Sequence, residues 1–289
     1  MIFRDYSAKL RDSGIENAEG ELTALIAFSA GISYDEALSI RLMSSPGSDC
    51  YYDVLGQDGR DLLSKLVERR ISGQPLQYIT GECFFYGRRF ICRPGVLIPR
   101  FDTECVVECA LQLISPGDKV LDLCCGSGCI GVTIKLECNA QVTCADVSDS
   151  ALALTRLNAG AYCIDDLKTL KVDLFTDFPK GPFDMIVSNP PYIPSADIVS
   201  LSAEVSNEPV LALDGGIDGL DFYRRIIPAS IFALSDPGYL VLECGIGQSD
   251  AVAHIMHESG FDCIKTKKDL SGISRVVSGR INGRAERDA

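Results

Sequence analysis

The spacing of apolar positions changes character along the chain. Over residues 1–75 it is helical: Leu22, Leu25 and Ile26 recur within 21–28, and Leu62, Leu63, Leu66 and Val67 within 61–70. Ser33-Tyr34-Asp35-Glu36 has the form of a capping box opening a further helix. Arg69 and Arg70 close another, where the helix dipole favours cations, before Ser72-Gly73-Gln74-Pro75 breaks it. A small helical domain is predicted over 1–75. Residues 76–98 are rich in aromatic and β-branched side chains, interrupted by Gly81, Gly87 and Pro94-Gly95, and read as a β-hairpin connector. Beyond it short apolar runs alternate with helical stretches. Strands are predicted at 119–124, 141–146, 168–173, 183–188 and 238–243, and helices near 129–138, 149–159, 218–234 and 248–259. Such alternation predicts a parallel sheet covered by helices on both faces, filling a domain over 99–289. Two last strands, 261–268 and 274–280, are joined too tightly for a crossover and should be antiparallel. The fold class is therefore α/β and Rossmann-like, behind a helical N-terminal domain.

Open α/β sheets bind ligands beyond the carboxyl ends of their strands, so the residues there carry the candidate chemistry. The first predicted strand runs through Asp122 into Cys124-Cys125-Gly126-Ser127-Gly128 and then a helix. Glycines there let backbone approach a ligand closely. Gly126, Gly128 and Gly131 match G-x-G-x-x-G by letter, a weak signal alone. Asp146, ending the second strand, is placed to accept both ribose hydroxyls of an adenosine cofactor. A carboxylate at Asp122 would repel a pyrophosphate and suits a cationic ligand such as the amino group of S-adenosylmethionine. A glycine turn serving helix packing alone is the competing reading.

The fourth strand runs into Asn189-Pro190-Pro191-Tyr192. A proline-fixed turn with a packed tyrosine would account for it structurally. Chemically it is a set of acceptors. A planar NH₂ group is a poor nucleophile with two N–H donors. The Asn189 side-chain oxygen can accept one and the Pro190 carbonyl the other, turning the lone pair toward an electrophile and favouring the charge that grows on nitrogen. Tyr192 can pack on the planar group, its ring face near a cationic centre. Asn189, Pro190 and Tyr192 are thus the candidate catalytic residues, with Pro191 beside them on the substrate.

Composition narrows the field. The chain has 289 residues, 46% hydrophobic and 23% charged, enough for an ordinary core. It holds no apolar run of the ~18 residues that a membrane span needs, and its first residues mix charges early, unlike a signal peptide. A cytoplasmic location with no membrane contact is expected. The 13 cysteines are scattered and odd in number, several within apolar runs, and read as buried thiols rather than a disulfide framework or a metal site. A net charge of −13 argues against direct nucleic-acid binding and is compatible with a basic protein partner.

Ordered blocks from 75 to 280 then bring a resemblance. Residues 77–81 (Gln-Tyr-Ile-Thr-Gly), 84–90, 96–104 (ending Pro99-Arg100-Phe101-Asp102-Thr103-Glu104), the glycine loop, 188–193, 214–224, 242–245 with Gln248, and 269–275 with Gly279-Arg280 together resemble the HemK-type family of release factor glutamine methyltransferases. The resemblance implies methyl transfer from S-adenosylmethionine to the side-chain N5 of the glutamine in the Gly-Gly-Gln loop of peptide chain release factors. It implies a cofactor held by Asp122, Cys124, Cys125, Gly126, Ser127, Gly128, Asp146 and Asn189, and a substrate glutamine held by Asn189, Pro190, Pro191 and Tyr192. The helical domain is expected to contact the release factor body. The chain departs from the family's pattern at Cys124, usually glycine, at Phe101, usually proline, and at Leu174, often a tryptophan near the adenine. Asp102-Thr103-Glu104 points to the release factor branch rather than to the related enzyme acting on a ribosomal protein. Amino-group methylation of adenine or guanine in nucleic acid is the alternative, since the same acceptors suit any planar NH₂. A non-catalytic S-adenosylmethionine-binding regulator sits poorly with an intact Asn189 and both prolines.

Overall fold

A computed structural model describes residues 2–43 and 51–282. The chain divides into two compact units, one reaching to Gly81 and including Ser202–Asn207, the other comprising Glu82–Leu201 and Glu208 onward.

The first unit is helical: α1 (Ile2–Asp12), α2 (Ala18–Ala30), α3 (Tyr34–Met43), α4 (Tyr52–Ile71, broken at Gly56) and α5 (Leu76–Thr80). The apolar stripe of α2 (Leu22, Leu25, Ile26) meets that of α4 (Leu63, Leu66, Val67) in one core, and each such buried side chain contributes about 1.5–3 kcal/mol. The Glu36 amide donates to Ser33 Oγ at 3.1 Å, as the capping motif requires. Arg70 is buried, and its charge is met by Glu21 and Glu204. Helix α5 lies within the stretch predicted as hairpin. Pro75 starts it with φ already near helical values, and Gly81 at φ +80 ends it. Five residues are too few to show a helical period.

The second unit opens with a hairpin, β1 (Glu82–Phe85) against β2 (Arg88–Ile91), then a 3-10 turn (Phe101–Thr103) and α6 (Glu104–Leu111). There follow β3 (Lys119–Leu123), α7 (Cys129–Cys138), β4 (Gln141–Asp146), α8 (Asp149–Ala161), β5 (Lys168–Lys171), β6 (Phe183–Ser188), α9 (Asp221–Ala233), β7 (Leu234–Glu243), α10 (Ser249–Glu258), β8 (Asp262–Lys268) and β9 (Ser274–Ile281). Strand order is β5-β4-β3-β6-β7-β9-β8, parallel from β5 to β7, with β9 antiparallel to both neighbours. From β3 the chain first winds one way, through α7 and α8. From β6 it winds the other way, through α9 and α10, and the right-handed crossover rule sends the two sets of helices to opposite faces. The reversal lies between β3 and β6, the position where open sheets leave a crevice at their carboxyl ends. One core cluster joins Leu121, Ile186, Leu240 and Leu242 of the sheet to Tyr223, Ile226 and Ile227 of α9 and to Val252 and Met256 of α10.

Candidate active site

A cavity of about 310 Å³ opens at the β3/β6 reversal. One wall is the loop from β3 to α7. Cys124 there has φ +56, Gly126 +54 and Gly128 +79. Glycine takes such angles freely, whereas a side-chain-bearing residue is strained in them, so Cys124 bears a cost that glycine would not. The loop is anchored from several sides. The Cys125 amide donates to Ala145 O at 3.1 Å, the Gly126 amide to Asp146 Oδ2 at 2.9 Å, and Thr155 Oγ1 to Gly126 O at 3.1 Å. Asn158, fully buried, donates to Ser127 O at 2.9 Å while its Oδ1 accepts from the Ile91 amide at 2.7 Å, tying the loop to the hairpin. Neither Thr155 nor Asn158 stood out in the sequence; the available signal was two polar residues one helical turn apart on the otherwise apolar face of α8.

Asp146 ends β4 on the cavity, its Oδ1 accepting from the Ser148 amide at 2.9 Å. Burial raises its pKa against the pull of these amides. Asp122 is placed differently. It lies beneath the loop with no exposure and away from the cavity lining, and Oδ2 accepts from the Gly131 amide at 2.9 Å. Gly131 permits this contact, because a Cβ there would lie 2.9 Å from that oxygen and 2.6 Å from Cys144 Sγ. Asp122 Oδ1 has no hydrogen-bond partner among the described residues, and burial pushes the carboxyl up to about 7.

The opposite wall follows β6. Asn189 and Pro191 line the cavity, as do Cys124, Cys125, Gly126, Ser127 and Leu174; Gly128, Pro190 and Tyr192 lie outside the lining. Asn189 Nδ2 donates to Thr103 Oγ1 at 3.1 Å, which leaves Oδ1 as the amide's acceptor. Tyr192 directs its hydroxyl to Glu243 Oε1 at 3.4 Å, and its carbonyl accepts from Gln248 Nε2 at 2.9 Å. The turn containing Gly215 and Gly219 packs on its backbone, where a Cβ would come within 2.7 and 2.3 Å respectively. Burial first, then the Glu243 charge, hold the phenol well above its ordinary pKa. Arg100 lines the cavity and pairs with the buried Glu208, which also accepts from the Ile98 amide at 2.9 Å. Arg275 joins Asp102 at 2.7 Å to Asp269 at 3.1 Å.

The cysteines around the loop are packing groups: Cys125, Cys129 and Cys144 are buried and Cys124 half-buried, and burial contributes to the rise of every one of these thiols. Elsewhere Cys163 and Cys263 are exposed, against the expectation of buried thiols throughout: Cys163 lies in the turn after α8 and Cys263 on β8 at the sheet edge, where a side chain need not face the core. Among the described residues no helix is long and apolar enough to cross a membrane.

Comparison with known proteins extends these observations. Residues 2–81 match the PrmC N-terminal domain and residues 101–206 the methyltransferase small domain. The release factor glutamine methyltransferase of Geobacter sulfurreducens is 47% identical over 219 residues, 75% of this chain and 76% of that protein. That of Bradyrhizobium diazoefficiens is 34% identical over 287 residues, 96% and 93% of the respective chains. The solved structure of a methyltransferase from Pyrococcus furiosus shares the fold, with a TM-score of 0.52 at 14% identity, covering 68% of this chain and 90% of its own. By identity and by coverage, the chain belongs to the release factor glutamine methyltransferase family.

Proposed function

We propose that this protein transfers a methyl group from S-adenosylmethionine to the side-chain nitrogen of the glutamine in the Gly-Gly-Gln loop of peptide chain release factors. Family membership supports the reaction, and one observation carries its placement: the Asn189 amide gives its nitrogen to Thr103 and keeps its oxygen as an acceptor beside the cavity. The cavity residues fit an adenosyl cofactor. Asp146 ends its strand at the wall, and each carboxylate oxygen, with one lone pair on a backbone amide, has another for a ribose hydroxyl. Apolar side chains of Ile98, Val147, Leu174 and Phe222 surround space for a flat base. S-adenosylmethionine, when bound, supplies an electrophilic methyl on a sulfonium.

The chain's own residues do the rest by positioning. Asn189 Oδ1 and the Pro190 carbonyl accept the two N–H groups of the glutamine amide, so its nitrogen is held with the lone pair exposed. Neither proline brings an N–H that would compete for these acceptors. Orientation of this kind is worth several of the roughly 7–11 kcal/mol available from fixing reactants. The same two dipoles favour the positive charge arising on nitrogen, and the methylated amide, strongly acidic while it carries that charge, then gives up one N–H proton to water. Asp122, under the loop, sets the first turn of α7 and acts on the cofactor only through the backbone it holds.

Purified protein incubated with a release factor and S-adenosylmethionine should add the mass of one methyl group to the Gly-Gly-Gln peptide, read by mass spectrometry. Methylation of DNA or RNA with the release factor unmodified would overturn the reading.

A further inference from the structure

Large apolar side chains that the core does not claim stand around the Asn189–Tyr192 corner. Phe101 is 76% exposed, Ile217 91% and Ile246 70%, and Leu270 is wholly exposed. None of the four lines the cavity at the β3/β6 reversal. Scattered singly, such residues are ordinary; gathered at one place, they mark a surface that meets a partner. Phe101 opens the 3-10 turn whose Thr103 accepts from Asn189 at 3.1 Å. Leu270 follows Asp269, and Arg275 bridges Asp269 at 3.1 Å and Asp102 at 2.7 Å, so the turn from β8 to β9 is tied to the turn of Phe101. Ile217 belongs to the turn that ends at Gly219, where a Cβ would lie 2.3 Å from the Tyr192 carbonyl oxygen. Ile246 follows Gly245, where a Cβ would come within 3.1 Å of the Tyr192 ring.

The turns that carry these side chains are held firmly. The Asp269 carboxylate accepts from the Ser271 and Ile273 amides, each at 2.9 Å, besides Arg275. Asp214 Oδ1 accepts from the Gly216 amide at 2.9 Å and from Ser195 Oγ at 2.6 Å. Gln248 accepts from the Gly245 amide and donates to the Tyr192 carbonyl, both at 2.9 Å. Apolar groups displayed on a fixed backbone lose little freedom when they are covered, so more of their burial appears as affinity. The ring at 101 is not needed for the turn itself, since proline, usual at that position in the family's pattern, opens such a turn equally well.

We propose that Phe101, Ile217, Ile246 and Leu270 form an apolar collar that seats the protein chain carrying the substrate glutamine and takes up apolar side chains flanking it, an assignment that rests on the glutamine-methylating reading. Continuity with the corner selects this occupant. A glutamine side chain is short, so a chain whose amide reaches Asn189 brings its backbone down onto the turns that border Thr103 and Tyr192. The collar and the cavity then divide the work: the cavity holds the cofactor, and the collar fixes the approach of the protein substrate. A free glutamine side chain, lacking the flanking chain, would gain nothing from the collar.

Phe101→Ala and Leu270→Ala test this, each removing one exposed side chain. Phe232→Ala is the control: Phe232 is 84% exposed, but it lies at the end of α9 just before β7 begins, at the opposite end of the parallel strands from Asn189. With an intact release factor as substrate, its KM should rise about tenfold in each collar variant, in keeping with the loss of one large apolar contact, and further in the double variant. The kcat at saturating release factor and the KM for S-adenosylmethionine should stay within about twofold of the wild type, the signature of lost binding rather than lost chemistry. Phe232→Ala should match the wild type throughout. A merely structural role would lower kcat or weaken the cofactor instead. An unchanged KM for the release factor in both collar variants, or an equal rise in Phe232→Ala, would overturn the proposal. So would a wild type that sediments as a dimer and becomes monomeric in Phe101→Ala or Leu270→Ala, since a second copy would then cover the collar. A wild type that leaves the release factor unmethylated overturns the functional reading, and the partner named here with it; failure of the collar alone shows only in the variants.

Discussion

At the scale of single residues, the structure separates groups that the sequence set side by side. Asn189 and Asp146 reach the cavity, whereas Asp122 is sealed beneath the loop. The sequence places all three at strand ends but carries no depth: Asp122 is one residue short of the end of β3, and the pleat turns it toward Gly131. Asn189→Ala removes the oriented acceptor and keeps the apolar walls. Turnover should fall about 10²–10³-fold, as when one preorganised polar contact to a reacting group is lost, while S-adenosylmethionine binding by calorimetry survives at least in part. Wild-type turnover in this variant would exclude the acceptor mechanism. At Cys124 the substitution for glycine was legible and its consequence is visible in φ +56. A β-branched residue tolerates that angle worst, so Cys124→Val should unfold at lower urea than Cys124→Gly, by about 1–2 kcal/mol; equal midpoints would show the loop relaxing elsewhere.

At the scale of elements, the period of apolar residues located the parallel strands within a few residues, because central strands are buried on both faces and read as continuous runs. It failed where local chemistry overrode pattern. Strand β7 begins at Leu234, ahead of the predicted 238, since Pro237 and Gly238 inside it mimic a turn. Helix α6 went unread: its eight residues, Glu104–Leu111, make barely two turns, and Glu104 and Glu108, one turn apart, are its only polar positions, too few to mark a period. Helix α9 starts at Asp221 rather than 218, because Gly219 bends back onto Tyr192 first. The junction of α7 with the sheet shows how tightly these elements are set. Gly131→Ala would drive a Cβ into Cys144 Sγ and Asp122 Oδ2 and break the Gly131–Asp122 hydrogen bond. A loss of about 2–4 kcal/mol is expected in urea unfolding, combining overpacking with an orphaned buried carboxyl. A Gly160→Ala control, where a Cβ meets nothing within 4 Å, should cost far less. Similar losses at both positions would remove the packing explanation.

At the scale of the whole molecule, an acidic chain with net charge −13 includes among its buried carboxyls two, Asp122 and Glu243, that burial lifts far from the ordinary range, and this sets how stability depends on pH. Burial lifts Asp122 from 3.8 and Glu243 from 4.5, each to about 7. Between about pH 4 and pH 7 the folded protein therefore holds a proton at each site that the unfolded chain has released. Stability from these groups is fully present below their unfolded pKa values and is lost as pH rises to about 7, with a slope of up to about 1.4 kcal/mol per pH unit for each. Asp146 is raised by burial and acts in the same sense. Asp218, drawn down to about 2 by Arg224, and Asp269, held low by the Ile273 amide and Arg275, act in the opposite sense, but only below about pH 4. The window above that belongs to the buried acids. Asp122→Asn retains an acceptor for the Gly131 amide and cannot ionise, so between pH 5 and pH 7 it should lose stability less steeply than the wild type. Urea unfolding across that range measures the two slopes directly. Parallel curves would mean that Asp122 stays ionised when folded, and that the protein tolerates a bare charge under the loop from β3 to α7.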